Sequence, residues 1–294
     1  MESNIPSICF LRVIISFNDM MKRYRLTFMI SLLGLFQVVS TRAEYPKRII
    51  SLAPSVTKSL YLLHAADLLV GCTSFCILEH PDDAVVVASA VQVNIEKAVL
   101  LKPDLVLTTS LTNPETIRTF RKLGIETVNF PYPQSFDDIC KYVQILGDKI
   151  GKKEQADSVV ADARKQLAVV RAKVPRVDKK PRIFLQVGAS PLFTVVPNTF
   201  MQDFIDFAGC ENIASDLKMG SITRESVLVR NPDAIIIMMM GTVSREEKDE
   251  WERYGNLTAV KNHRIFLMDQ EKTCSPTPPL FVEALDEMIR DIYY

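Results

Sequence analysis

Short apolar runs alternating with amphipathic segments assign this chain to the α/β class. The expected form is two lobes with mostly parallel sheets flanked by helices, joined by a single long connecting α-helix. Three observations predict it. Strand-like and helix-like stretches alternate on both sides of the chain's middle, which is the grammar of a parallel sheet covered by helices. Between them a helical period runs from Phe136 to Val174, weakened only at Gly147 and Gly151. Finally, Asn94-Ile95-Glu96 … Lys102-Pro103-Asp104-Leu105-Val106-Leu107 returns as Thr223-Arg224-Glu225 … Asn231-Pro232-Asp233-Ala234-Ile235-Ile236, with Glu225 129 residues after Glu96. In both copies Pro stops the helix, because its ring clashes with a continuing turn.

The elements follow in order. Arg48 to Leu52 reads as a strand, Pro54 to Thr57 as a turn, Leu60 to Leu63 as a helix capped by Ser55 or Thr57, and Leu68 to Gly71 as a second strand. Ile95 to Leu101 is a short helix, and Leu105 to Thr108 is apolar enough for a strand buried on both faces. Pro114 to Leu123 is helical, Gly124 ends it, and Thr127 to Phe130 is a strand. In the connecting segment, Val159, Ala163, Leu167 and Val170 recur at helical spacing; residues 152–175 would form a helix of about 36 Å. Beyond the linker Pro175 to Pro181 come strand Ile183 to Val187, helices Phe200 to Phe207 and Arg224 to Val229, and strand Ala234 to Met239. Helix Arg245 to Tyr254, strand Ile265 to Met268 and a terminal helix from Leu280 complete the series. The lobes are thus expected at 44–151 and 176–294, flanking the 152–175 helix.

The first 43 residues are of another kind. Lys22-Arg23-Tyr24-Arg25 precedes an apolar run from Leu26 to Val39, and Ser40-Thr41-Arg42-Ala43 offers small residues for cleavage after Ala43. This is the pattern of a secretory signal, with residues 1–20 reading as an upstream extension. A retained anchor helix is the alternative, but the run falls short of the roughly 20 residues a bilayer span needs. The mature chain is expected in the periplasm. The whole sequence balances 35 Lys+Arg against 35 Asp+Glu, whereas residues 44–294 carry 30 against 33, which argues against a nucleic-acid partner.

Five cysteines follow the leader: Cys72, Cys76, Cys140, Cys210 and Cys274. An odd count leaves at least one unpaired unless chains cross-link. The C-x₃-C spacing of Cys72 and Cys76 matches neither a zinc knuckle nor a thioredoxin-like motif. His64, His80 and His263 are scattered, so no metal site is expected. Neither a nucleophile elbow nor a phosphate loop is present, so no enzymatic activity is expected; an exported α/β enzyme would rest on a reactive Cys274. Glu96 and Glu225 open equivalent short helices, where the dipole favours a carboxylate. They read either as simple charge complementarity or as matched acidic knobs that meet two arginines on a symmetric partner.

Several stretches together resemble one family: the periplasmic substrate-binding proteins of ABC importers for iron-siderophores, heme and vitamin B12. They are Arg48 to Thr57, the Glu96–Pro103–Asp104 unit, Asn198-Thr199-Phe200 leading into Ala208 to Ala214, and Ala259 to Phe266. Phe184-Leu185-Gln186-Val187-Gly188 … Pro191-Leu192-Phe193-Thr194 looks most like the vitamin B12-binding branch. The resemblance implies that Glu96 and Glu225 dock on permease arginines. It also implies that a metal chelate, first a corrinoid and otherwise a ferric siderophore or heme, sits between the lobes. Ser55, Phe75, Thr109, Tyr132, Phe193 and Cys274 are the ligand-binding candidates, on loops such as Ala90 to Val93, Thr109 to Thr112 and Thr273 to Pro276. No cofactor is implied, the protein is expected to be a monomer, and the rigid helix implies small lobe motion. Some positions depart from the pattern. Residues near Ala90 and Thr109 are small, Lys58 stands where an acidic residue is common, and Trp251 sits on a charged helix expected to be peripheral. No basic loop is evident for an anionic siderophore, and heme ligation by His80 or Tyr132 rests on residue type alone.

Overall fold

The computed structural model describes residues 45–80, 82–89, 92–238 and 243–294. The expected signal with its Ala43 cleavage point, Ala90 and Val91 of one expected cleft loop, and Met239 lie outside the described residues. Among those described, no helix is long and apolar enough to cross a membrane.

Five strands, β1 (Ile49–Ser51), β2 (Leu69–Thr73), β3 (Val85–Ala88), β4 (Leu105–Thr109) and β5 (Glu126–Phe130), form an all-parallel sheet in the order β3-β2-β1-β4-β5. Helices α1 (Pro54–Leu62), α2 (Ile95–Leu100) and α3 (Pro114–Lys122) cover it. The second sheet contains β6 (Arg182–Ala189), β7 (Leu192–Thr194), β8 (Glu211–Asn212), β9 (Ala234–Ile237) and β10 (Ile265–Leu267), in the order β10-β9-β6-β7 with β8 also on β6. Only β7 is antiparallel, returning beside β6. Three strands went unread in the sequence, the two-residue β8 among them. β3 exposes Val85 and Val86 at the sheet edge, and β7 lies in a stretch that reads as loop.

Between the sheets lie α4 (Phe136–Lys149) and α5 (Lys153–Arg171), the latter being the connecting helix. The helical period is cut at Gly151, whose φ of +72° needs a residue without Cβ. At Gly147 a Cβ would come within 2.4 Å of the Ala156 Cβ, so the two helices pack closely there. The remaining helices are α6 (Gln202–Phe207), α7 (Arg224–Arg230), α8 (Val243–Glu252), α9 (Thr258–Lys261), α10 (Gln270–Thr273) and α11 (Pro278–Tyr293). One hydrophobic core runs from Ile49 and Leu107 of the first sheet through α4, α5 and α11 to Ile183 and Ile236 of the second. Phe281 bridges it, its ring 4.1 Å from Phe204 and 5.0 Å from Phe136. A core shared this way resists wide opening of the lobes, because separation would expose apolar surface.

The repeat has a structural cause. The residues before each Pro, Lys102 and Asn231, share a left-handed backbone, with φ of 49° and 44°. Asp104 then accepts hydrogen bonds from the Lys47 and Arg48 amides, at 2.8 and 3.0 Å, and Asp233 from the Arg182 amide at 2.8 Å. In return Arg48 donates to the Leu101 carbonyl and Arg182 to the Arg230 carbonyl. Each Pro-Asp therefore ends a helix and pins it to the first strand of its own sheet.

Candidate functional site

The order β3-β2-β1-β4-β5 reverses between β1 and β4, so the connections leaving these strands run to opposite sides. A crevice opens there, beyond the carboxyl ends of the strands. Leu52, Ala53 and Pro54 after β1, with Thr109 and Leu111 after β4, form its first wall. The opposite wall is Gln270, Glu271, Cys274 and Ser275, after β10. Two cavities of about 140 and 400 Å³ adjoin here, sharing Ala53, Pro54, Thr109, Leu111, Cys274 and Ser275.

Of the predicted ligand residues, Ser55, Thr109, Tyr132 and Cys274 line the smaller cavity, and Phe75, Thr109 and Cys274 the larger. Tyr132 follows β5 and lies 5.7 Å from the Phe200 ring, so the two lobes meet through aromatic faces. Phe193 stands apart. It pairs with Ser221, its ring covers Gly220, and it lines neither cavity. Sequence reading named the loops that carry Leu111 and Gln92 without singling those residues out, and it left Asn113 and Gln270 outside its candidate loops. Leu111 alone carried a signal, as one large apolar residue amid polar turn residues, and it is 84% exposed.

Two local expectations are corrected. Neither Ser55 nor Thr57 caps α1; Ala53 stands at the cap and Pro54 fills the first turn without an N–H to satisfy. Thr57 turns inward instead and donates to Ser51 Oγ at 2.9 Å. Trp251 is fully buried rather than peripheral. Its indole N–H donates to Gln186 Oε1 at 2.7 Å, and Arg224 lies 4.6 Å over its ring. A charged helix hid it because one face of α8 is solvated while the other enters the core. The departure at Lys58 also gains a role. Its ammonium reaches the Glu271 carboxylate at 2.6 Å and the Glu271 carbonyl at 2.7 Å, clamping α1 to the opposite wall.

Electrostatically the crevice is close to neutral. Among its described lining residues there is no Lys, Arg or His, and the carboxylate of Glu271 is neutralised by Lys58. Burial pushes the Cys274 thiol up, so it is protonated at neutral pH and unsuited to nucleophilic attack. Burial likewise raises the Tyr132 phenol. Among the described residues no group of three or more His, Cys, Asp or Glu could hold a metal ion. Gln270 Oε1 is buried without a hydrogen-bond donor among them and lies on an amide that lines the larger cavity.

Glu96 and Glu225 are both exposed in the first turns of α2 and α7. Asn94 Oδ1 caps α2 by accepting from the Lys97 amide at 2.8 Å, and Thr223 Oγ1 caps α7 by accepting from Ser226 at 3.2 Å. Hydrogen bonds from its own amide and from Thr223 hold the Glu225 carboxyl below the usual range. Asn94 follows the end of β3, donating to the Val87 carbonyl at 2.9 Å, and Ser221 pairs with β7 near the end of β6. Both helices therefore start at the carboxyl edges of their sheets, the edge at which the crevice also opens.

Two α/β halves sharing a core, with a neutral crevice at the strand ends, define a two-lobed small-molecule-binding protein. The chain belongs to the periplasmic binding protein family, whose model matches residues 49–272. An uncharacterized ABC transporter substrate-binding lipoprotein of Bacillus subtilis is 29% identical over 87% of this chain and 83% of its own length. A vitamin B12-binding protein of Yersinia pestis is 30% identical over 69% of this chain and 73% of its own. A possible iron-binding (periplasmic solute-binding) protein from Staphylococcus epidermidis superposes with a TM-score of 0.74 at 26% identity, over 85% of this chain and all of the other. The protein is accordingly a substrate-binding component of an ABC transporter, outside the cytoplasm, with a permease as its partner. Its family is one of binding proteins rather than enzymes.

Proposed function

We propose that the crevice captures a corrinoid and that Glu96 and Glu225 deliver it to the permease. The neutrality of the crevice carries this reading. An anionic ferric siderophore draws affinity from basic side chains, which the described lining does not offer. A corrin ring bears neutral amide arms, and the amides and hydroxyls of Gln92, Asn113, Gln270 and Ser275 beside apolar Phe75 and Leu111 match them. Gln270 Oε1 awaits an N–H donor, which such an arm supplies. The vitamin B12-binding relative supports the same choice. Heme would use Tyr132, but burial disfavours the phenolate that binds iron, and His80 lines neither cavity.

Docking gains an apolar component from the same repeat. Leu100 and Val229, one turn beyond each glutamate and again 129 residues apart, are 80% and 87% exposed. Each lobe thus offers a carboxylate beside an apolar knob, suited to a two-fold symmetric partner with a basic group beside an apolar socket. Titration of the purified chain with cyanocobalamin, heme and ferric siderophores, read by absorbance and quenching of intrinsic fluorescence, tests the ligand. Saturable cyanocobalamin binding at micromolar concentration or tighter is expected. Binding of heme or a siderophore without cyanocobalamin would overturn the corrinoid choice while keeping the family role.

A further inference from the structure

We propose that Cys72 and Cys76 are a thiol–disulfide pair whose oxidation pins the crevice turn that carries Phe75. Cys72 is the penultimate residue of β2 and is fully buried, whereas Cys76 is half-buried four residues on, and both join the core beneath the crevice. The turn between them folds them together: the Cys76 amide donates to the Thr73 carbonyl at 3.1 Å and the Phe75 amide to Thr73 Oγ1 at 3.2 Å. Cys72 is the register partner of Ser51 on β1, and Ser51 Oγ meets the Thr57 hydroxyl that lies beside Cys76 Sγ, so one small polar cluster links the two cysteines. Cys76 Sγ also lies 3.1 Å from the Thr57 hydroxyl and 3.3 Å from that of Thr73. Thr73 and Phe75 line the larger cavity, so the pair sits directly behind a ligand-facing turn.

The surroundings set an order of events. The neighbouring Cys72 thiol and the Thr57 and Thr73 hydroxyls hold the Cys76 thiol below the usual thiol range. Burial instead raises Cys140 to about 12, Cys210 to about 11 and Cys274 as well, and its neighbour Cys76 together with burial raises Cys72 furthest, so Cys76 reacts first and Cys72 only as the resolving thiol. Cys76 attacks one sulfur of a low-molecular-weight disulfide, forming a mixed disulfide and expelling the first thiolate. Cys72 then attacks Cys76 Sγ, closing the protein disulfide and expelling the second. Two protein thiols are oxidised, one external disulfide is reduced to two thiols, and the two protein protons pass to the leaving thiolates. An extracytoplasmic setting supplies such oxidants. The proposal is independent of which ligand fills the crevice.

The test equilibrates the full chain with oxidised glutathione, quenches with acid, alkylates under denaturing conditions and maps the thiols by mass spectrometry. Cys72 and Cys76 are expected to escape alkylation together in one cross-linked peptide, while Cys140, Cys210 and Cys274 are alkylated. Cys72→Ser should stall with a glutathione adduct on Cys76, and Cys76→Ser should leave Cys72 alkylated. Amide exchange over Ser74 to Cys76 should slow severalfold in the oxidised protein and not in either variant. Alkylation of both thiols in oxidised wild type, adducts confined to other cysteines, or unchanged exchange in the cross-linked protein would each overturn the proposal.

Discussion

The two halves present the same surface feature on different foundations. In the first, α2 rests on an apolar cluster: Ala98 packs among Ile50, Val87, Val106 and Phe120. In the second, α7 sits over a polar network inside the core. Arg224 donates to both Glu247 carboxylate oxygens at 2.8 and 2.6 Å, Gln186 donates to Glu247 at 2.7 Å, and Trp251 closes the set. Packing alone tolerates conservative change, whereas a buried charged network fails sharply when one member goes. The repeat preserves what faces outward and leaves what supports it free to differ.

That contrast is open to test. Trp251→Ala should have the largest effect, about 3–5 kcal/mol in denaturant unfolding, because it leaves a cavity and removes the indole donor from Gln186 Oε1. Phe120→Ala, the fully buried aromatic under α2, should cost a similar amount of stability while leaving docking by Glu225 intact. Glu247→Ala should cost on the order of 3 kcal/mol by leaving Arg224 half-buried beside a lost partner. The apolar cluster under α2 contains no charged member that could be lost in this way; a neutral result would show the network to be ornamental. Charge reversal at Glu96 or Glu225 should leave the unfolding midpoint in place and weaken permease binding about tenfold each, read by surface-immobilised binding. Equal losses support symmetric docking, and unequal ones break it.

The Glu225 contribution should also resist acid. Its carboxyl is held below the unfolded value, so its charge persists as pH falls and is lost only as pH passes below the usual carboxylate range. Permease binding by an Glu96→Gln variant against pH measures this directly. The smallest effect belongs to the caps: Asn94→Ala and Thr223→Ala should each cost about 1 kcal/mol, comparable in the two halves despite their different foundations.

Much of the architecture was legible because its signals are local. Buried parallel strands such as Leu105 to Thr108 and Ala234 to Ile237 are continuous apolar runs, and Gly151 marks the only conformation that turns α4 into α5 at that point. β7 was not legible, since three residues beside Pro191 lack a period and pair only because β6 is there. Ser55, Phe75, Thr109, Tyr132 and Cys274 could be placed on the crevice wall because strand-end loops are readable from strand ends. Phe193 lies away from both cavities because its ring direction depends on β7, and the burial of Trp251 was not legible because a charged helix conceals its inward face.

The sequence by itself determined the α/β class, the two repeated Glu–Pro–Asp units and the pairing of Glu96 with Glu225. These depend on short-range periods and on proline's fixed geometry. The tertiary structure alone decided that one core joins both halves, that Lys58 clamps Glu271 across the crevice, and that Cys72 and Cys76 pack on that core behind Phe75. Each of those brings together groups whose partners are set by how the elements pack, a choice made by burial over the whole molecule and not by any local stretch of chain.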